Sequence, residues 1–177
     1  MSERSPLEGG TVGPVVSAAH LADGRLPPLS ELEFALTMAN HAFHRWMVRG
    51  MAAAGAPGLS PLDVLVLHQV HHRGRPKTLA DLCLVLAIED THTVSYSLKK
   101  LEAQGLVRSG RRGKEKTVTI TAAGETASLA YRSIREGLLV ASVAATGLDP
   151  AEISKLAALL RAVSGQYDHA ARAAAAM

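Results

Sequence analysis

A single cysteine, Cys83, is all that the 177-residue sequence contains. An intramolecular disulfide and a cysteine-based zinc cluster are therefore excluded. No apolar run approaches the ~18 residues that a membrane-spanning helix needs. The opening Met1-Ser2-Glu3-Arg4-Ser5-Pro6 leads into no apolar stretch of signal-peptide type. These absences predict a soluble protein of a reducing compartment, most simply the cytoplasm of a bacterial-type cell, with no membrane partner. Aromatic residues are only 3% of the chain, and Tyr96 is the only one between Gly50 and Thr121. That leaves no base-stacking platform of the kind single-stranded RNA recognition uses. There is no phosphate-cradling glycine loop, no G-x-S-x-G, no H-E-x-x-H and no carboxylate pair in a plausible cleft motif. Asp63, Asp81, Glu33 and Glu152 are better used as helix caps. The chain is not expected to be an enzyme or to carry a cofactor.

What is present has a globular balance: 47% hydrophobic and 20% charged residues, enough to bury a sizeable core. Net charge is only +3, but it is unevenly spread. Between Lys99 and Lys116 seven basic residues face two acidic ones, so this segment holds +5 and the rest of the chain −2. A basic patch on a near-neutral protein is the footprint of a polyanionic partner, although a solvated charge run would look the same by charge alone.

Helix starts are well marked. Residues 1–28 mix glycine and proline without a period and read as an irregular N-terminal arm. Ser30-Glu31-Leu32-Glu33 has the form of a capping box, with Leu29 and Phe34 at hydrophobic-staple spacing, opening a first helix to about Ala54. Ser60-Pro61-Leu62-Asp63 starts a second helix that runs to Gly74. Thr78-Leu79-Ala80-Asp81 caps a short third helix ending near Ile88, and a fourth extends from about Asp90 to just before Gly105. Two β-branched or apolar runs, 106–109 and 117–121, flank the basic loop Gly110–Lys116 and predict a β-hairpin. Thr121 caps a fifth helix to about Thr146, and Asp149-Pro150 opens a last one with Ile153, Leu156, Leu160, Val163 and Tyr167 as its stripe.

A short helix, a turn, a second helix and a hairpin form the layout of a winged helix-turn-helix. The fold expected is mainly α with a small β-hairpin wing. A helix fits the DNA major groove, whose base edges are distinguishable, and a basic hairpin beside it reaches phosphates or the minor groove. In the fourth helix Val94, Leu98 and Leu101 recur at core spacing. The opposite face holds His92, Tyr96 and Lys99, flanked by Thr93, Ser95 and Lys100. An ordinary solvent face would carry more acid; after Asp90 the helix has only Glu102, late in its length.

Three segments carry a family likeness: Thr78-Leu79-Ala80-Asp81-Leu82; Leu98-Lys99-Lys100-Leu101-Glu102-Ala103-Gln104-Gly105-Leu106-Val107, preceded by Thr93-Val94; and Val118-Thr119-Ile120-Thr121-Ala122-Ala123-Gly124. Together they resemble the multiple antibiotic resistance regulator (MarR) family, over residues 30 to 170. The resemblance implies a homodimeric, cytoplasmic transcription regulator, most often a repressor, that occupies a palindromic site on double-stranded DNA. It implies four regions: the arm 1–28, a dimerisation helix 29–55, the winged helix-turn-helix 59–121 and C-terminal dimerisation helices 122–177. It also implies that a small effector, in some members, releases the DNA. The family wing usually carries Asp-x-Arg near its tip; here those positions are Arg112 and Lys114, so the acid is lost and lysine replaces arginine. Arginine suits a narrow minor groove better than hydrated lysine, which ranks Arg111 and Arg112 ahead of Lys114 as wing contacts.

Two alternatives stay open at this level. One is a winged-helix protein-interaction module without DNA binding. The other is a metal-sensing regulator, because His68, His71 and His72 lie at i, i+3 and i+4 and His41 and His44 lie on the first helix. Cys83 sits in the apolar run of the third helix and reads as a small core residue.

Overall fold

The computed structural model describes residues 13–177. Residues 1–12 of the expected arm lie outside the described residues. The remainder of that arm is not wholly irregular: it holds one helical turn, α1 (Ala19–Ala22). The first long helix, α2 (Pro27–Ala53), begins earlier than the Ser30 signal suggests. Pro27 and Pro28 occupy its opening positions, where a missing N–H costs nothing and the fixed φ already suits a helix. Ser30 is therefore inside the helix and buried, and its hydroxyl donates to the Leu21 carbonyl rather than capping.

The next two helix starts form as capping boxes. In α3 (Pro61–His71) the Asp63 amide donates to Ser60 Oγ at 3.2 Å and the Ser60 amide to Asp63 Oδ2 at 2.7 Å. In α4 (Leu79–Leu86) Thr78 and Asp81 exchange the same pair of bonds, at 3.1 and 2.8 Å. Helix α4 ends two residues before Ile88 because Ala87 turns left-handed, with φ +52°. Asp90 caps α5 (Thr91–Ala103), its Oδ1 accepting from the His92 amide at 2.9 Å.

The hairpin is longer than its composition suggests. Strands β1 (Val107–Arg112) and β2 (Glu115–Ile120) pair antiparallel from Val107 with Ile120 to Arg112 with Glu115. Only Gly113 and Lys114 remain as the turn, and Gly113 has φ +62°, a conformation that a two-residue hairpin connection demands of its first residue. Lys77 adds a short third rung: its amide donates to the Val118 carbonyl at 3.0 Å and its carbonyl accepts from the Val118 amide at 2.8 Å.

Helix α6 (Ala122–Ile134) then leaves the wing. A Cβ on Gly124 would lie 2.0 Å from the Leu106 carbonyl oxygen, so this position must be glycine for the helix to close on the hairpin base. The helical path continues through a π-helical stretch, Arg135–Val140, into α7 (Ala141–Ala145). Helix α8 (Pro150–Ala174) completes the chain. The core lies among α2 to α6 and the hairpin and is built on Met47, Met51, Val64, Leu67, Leu82, Val94, Leu101, Leu106 and Val118. By contrast α8 has no buried residue, and Ile153, Leu156 and Leu159 stand exposed on it. Among the described residues no helix is long and apolar enough to cross a membrane.

Candidate nucleic-acid interface

Helix α5 sorts its side chains by face. Val94, Ser97 and Leu101 are buried and Leu98 is partly so. His92, Thr93, Tyr96 and Lys99 are exposed, Tyr96 to 71%, while Ser95 is half-buried. These outward groups offer donors, acceptors and one cation that has no ion-pair partner among the described residues, with no carboxylate among them. His92, Thr93, Tyr96 and Lys100 share a groove of about 390 Å³ with Ser60, Leu62 and Asp63 at the start of α3.

Lys100 is half-buried, and its ammonium is already engaged. Its Nζ lies 2.7 Å from Asp63 Oδ2, while Ser97 Oγ donates to Asp63 Oδ1. Burial opposes ionisation of Asp63, but Lys100, Ser97 and the Ser60 amide and hydroxyl together outweigh it and hold the carboxyl below its ordinary range. One carboxylate thus caps α3 and pins α5. From sequence, Asp63 is expected only to cap and Lys100 to belong to the DNA face; the structure places Lys100 at the edge of that face, turned onto Asp63.

Glu102, the late acid of α5, is also occupied. Its two carboxylate oxygens accept from the Ser109 amide at 2.8 Å and the Ser109 hydroxyl at 2.9 Å. Those two donors hold its carboxyl below the usual value. The recognition helix and the wing are thereby tied at one point, and because both donors are neutral the exposed Glu102 keeps its negative charge at that join.

The wing exposes Arg108, Arg111, Arg112, Lys114 and Lys116. Arg112 pairs across the turn with Glu115, Nη2 to Oε2 at 3.0 Å, with both side chains largely in solvent. Arg111 sits directly opposite Lys116 in the register. Like charges facing each other across a ladder cost stability, and a polyanion would relieve that cost. Lys116 is absent from the contacts expected from sequence because only the register reveals its place beside Arg111. Arg108 donates from Nε to Thr119 Oγ1 at 3.1 Å.

The histidines do not gather into a metal site: among the described residues no group of three or more His, Cys, Asp or Glu side chains is placed to hold an ion. His72 and His41 are exposed and His44 is half-buried. His71 reaches toward Glu125 at 4.0 Å. His68 turns inward, its ring 4.9 Å from that of Tyr131, and the Trp46 ring lies 6.0 Å from that of Tyr131. Burial, with the charge of His71 adding to it, holds the His68 pKa below the ordinary histidine value. Among the described residues Trp46 Nε1, His68 Nε2 and Ser128 Oγ are buried there with no hydrogen-bond partner. Cys83 is buried as a free thiol.

Known proteins share this geometry. A family model for the winged helix DNA-binding domain matches residues 59–124. No curated protein matches the chain by sequence. Solved structures do match. A MarR family transcription regulator superposes with a TM-score of 0.65 at 15% identity, over 82% of this chain and 93% of its own. AbfR of Staphylococcus epidermidis gives 0.63 at 18% identity, over 81% and 94%. The oxidised form of MarR from E. coli gives 0.57 at 19% identity, over 73% and 90%. The chain therefore has a MarR-type fold around a winged helix DNA-binding domain.

Proposed function

From a winged helix DNA-binding domain carried on a MarR-type fold, we propose that the chain is a cytoplasmic transcription regulator: a homodimeric repressor that occupies a palindromic promoter site. The observation that carries this reading is the acid-free outer face of α5, joined through Glu102 and Ser109 to a wing with five exposed cations. In the complex, α5 lies in the major groove. His92, Thr93, Ser95, Tyr96 and Lys99 read or approach base edges, and Lys100 approaches phosphate from the groove rim. Arg111 and Arg112, then Lys114, follow the adjacent minor groove and backbone.

Pairing of two copies is supported by α8, whose exposed Ile153, Leu156 and Leu159 would be unusual on a solvent-facing helix. Two-fold symmetry then presents the recognition helices about one DNA turn, ~34 Å, apart. Release by a small effector finds support in Trp46 Nε1, His68 Nε2 and Ser128 Oγ near Tyr131, which lack a partner among the described residues, since buried polar groups are normally satisfied.

An electrophoretic mobility shift on the DNA upstream of its own gene tests the reading, with light scattering after size exclusion for the dimer. Saturable binding by a particle of twice the 18.6 kDa chain mass is expected. A monomer without DNA affinity would leave the protein-interaction alternative.

A further inference from the structure

The seven-residue link between α3 and α4, His72-Arg73-Gly74-Arg75-Pro76-Lys77-Thr78, holds three permanent cations and no acid. It lies outside the basic segment between Lys99 and Lys116. Arg73 and Arg75 are exposed, and among the described residues none of the three cations has a carboxylate within 4.0 Å. Lys77 is buried, its ammonium donating to the carbonyls of His72 at 2.7 Å and Arg75 at 3.2 Å. Those neutral acceptors take two of its three hydrogens without cancelling its charge. The acid whose field reaches the link is Asp81, which is spent capping α4 and also feels Arg112.

The link is held at its Lys77 end by the wing and at its start by the Lys77 ammonium on the His72 carbonyl. Lys77 is bonded through its backbone to Val118 of the wing. Arg73 sits at φ +61°, a left-handed conformation that a non-glycine residue adopts at a cost. Arg73, Arg75 and Lys77 line one groove of about 450 Å³, which Asp81 and the apolar Leu82 and Leu84 also line. Cations without an ion-pair partner among the described residues, carried on a backbone tied to the hairpin, make an electrostatic site for phosphate oxygens.

We propose that this link is a second phosphate-contacting element, in which Arg73 and Arg75 engage the DNA backbone outside the stretch covered by α5 and the wing. The inference rests on the DNA-binding reading above and adds an interaction that lengthens the footprint. Lys77 acts as the buried anchor that shapes the link.

The test uses the full chain and two duplexes from its own upstream DNA, one trimmed to the protected core and one carrying about ten further base pairs on each side. The double variant Arg73→Asn, Arg75→Gln removes both charges, and asparagine tolerates the left-handed backbone. Fluorescence anisotropy across a salt series is expected to show a slope of log affinity against log salt shallower by about 0.9 for each phosphate no longer neutralised, on the long duplex only. Thermal melting should be unchanged, which shows that the fold survives the substitutions. An unchanged slope on the long duplex, or equal losses on both duplexes, overturns the proposal while leaving the DNA-binding reading intact. Failure of the unaltered protein to bind either duplex overturns both.

Discussion

Lys100 on the recognition helix and Asp63 at the start of α3 stand 2.7 Å apart, and through that contact the helix proposed to read DNA is fixed to the body of the domain. Replacing Asp63 with asparagine removes the only carboxylate, among the described residues, paired with the half-buried ammonium and weakens the α3 cap. Breaking a fully buried ion pair costs about 3–5 kcal/mol, and with Lys100 partly in solvent a loss of about 2 kcal/mol is expected. Urea unfolding of Asp63→Asn should show a lower midpoint with an unchanged slope.

The same carboxylate gives a pH signature. Asp63 has its folded pKa depressed below the reference value of 3.8, so its contribution is present above that value and is lost as pH falls through the folded pKa. The stability gap between the unaltered protein and Asp63→Asn should therefore be flat above about pH 5 and close in strong acid. A gap that stays constant below pH 3.8 would mean the carboxylate is not held in its charged form.

His68 titrates with the same sense in a higher pH range. Its folded pKa lies below the ordinary histidine value of 6.5, so protons favour the unfolded chain. Stability is full above 6.5 and declines as pH drops from there toward the folded pKa. Melting temperatures recorded from about pH 8 to about pH 5 should fall in the unaltered protein and fall less in His68→Phe. Parallel curves would place the titration elsewhere.

Glu102→Gln tests the tie between α5 and the wing. Loss of the carboxylate weakens both bonds from Ser109. Amide exchange in β1 and β2 should accelerate while the helical core keeps its protection. DNA affinity should drop several-fold with little change in melting temperature. Unaltered exchange at Ser109 would show that strand pairing alone holds the wing.

Tyr96 and Arg111 separate reading from holding. Tyr96→Ala should cost about 1–3 kcal/mol on the specific site and much less on random DNA if the ring contacts a base edge. Arg111→Ala should weaken binding to both sequences alike and flatten the salt dependence. Equal losses for Tyr96→Ala on both DNAs would make it a positioning residue.

What is legible in the sequence follows the range of each interaction. The Ser60–Asp63 and Thr78–Asp81 boxes span three residues, and the local pattern shows them directly. The core and solvent faces of α5 are equally plain from periodicity, down to the burial of Val94 and Leu101. The Ser30 signal misleads because Pro27 and Pro28 start α2 first, a local competition that the capping pattern does not weigh. Glycine and arginine suggest loop and shorten the expected strands, while cross-strand pairing carries β1 to Arg112. The Asp63–Lys100 contact joins residues on separate helices, and the inward turn of His68 onto Tyr131 depends on α3 meeting α6. No spacing rule reports such meetings. The π-helical stretch Arg135–Val140 has no sequence signal that we recognise.

The most direct measurement is equilibrium binding of the purified full chain to a fluorescent duplex from its own upstream DNA, against a shuffled duplex of equal composition, over a range of salt. A DNA-reading dimer should saturate the native duplex at two chains per site, favour it over the shuffled one by at least roughly a thousandfold, and weaken steeply with salt. Equal affinity for both duplexes, or none for either, would contradict the assignment of α5 and the wing to sequence-specific DNA recognition.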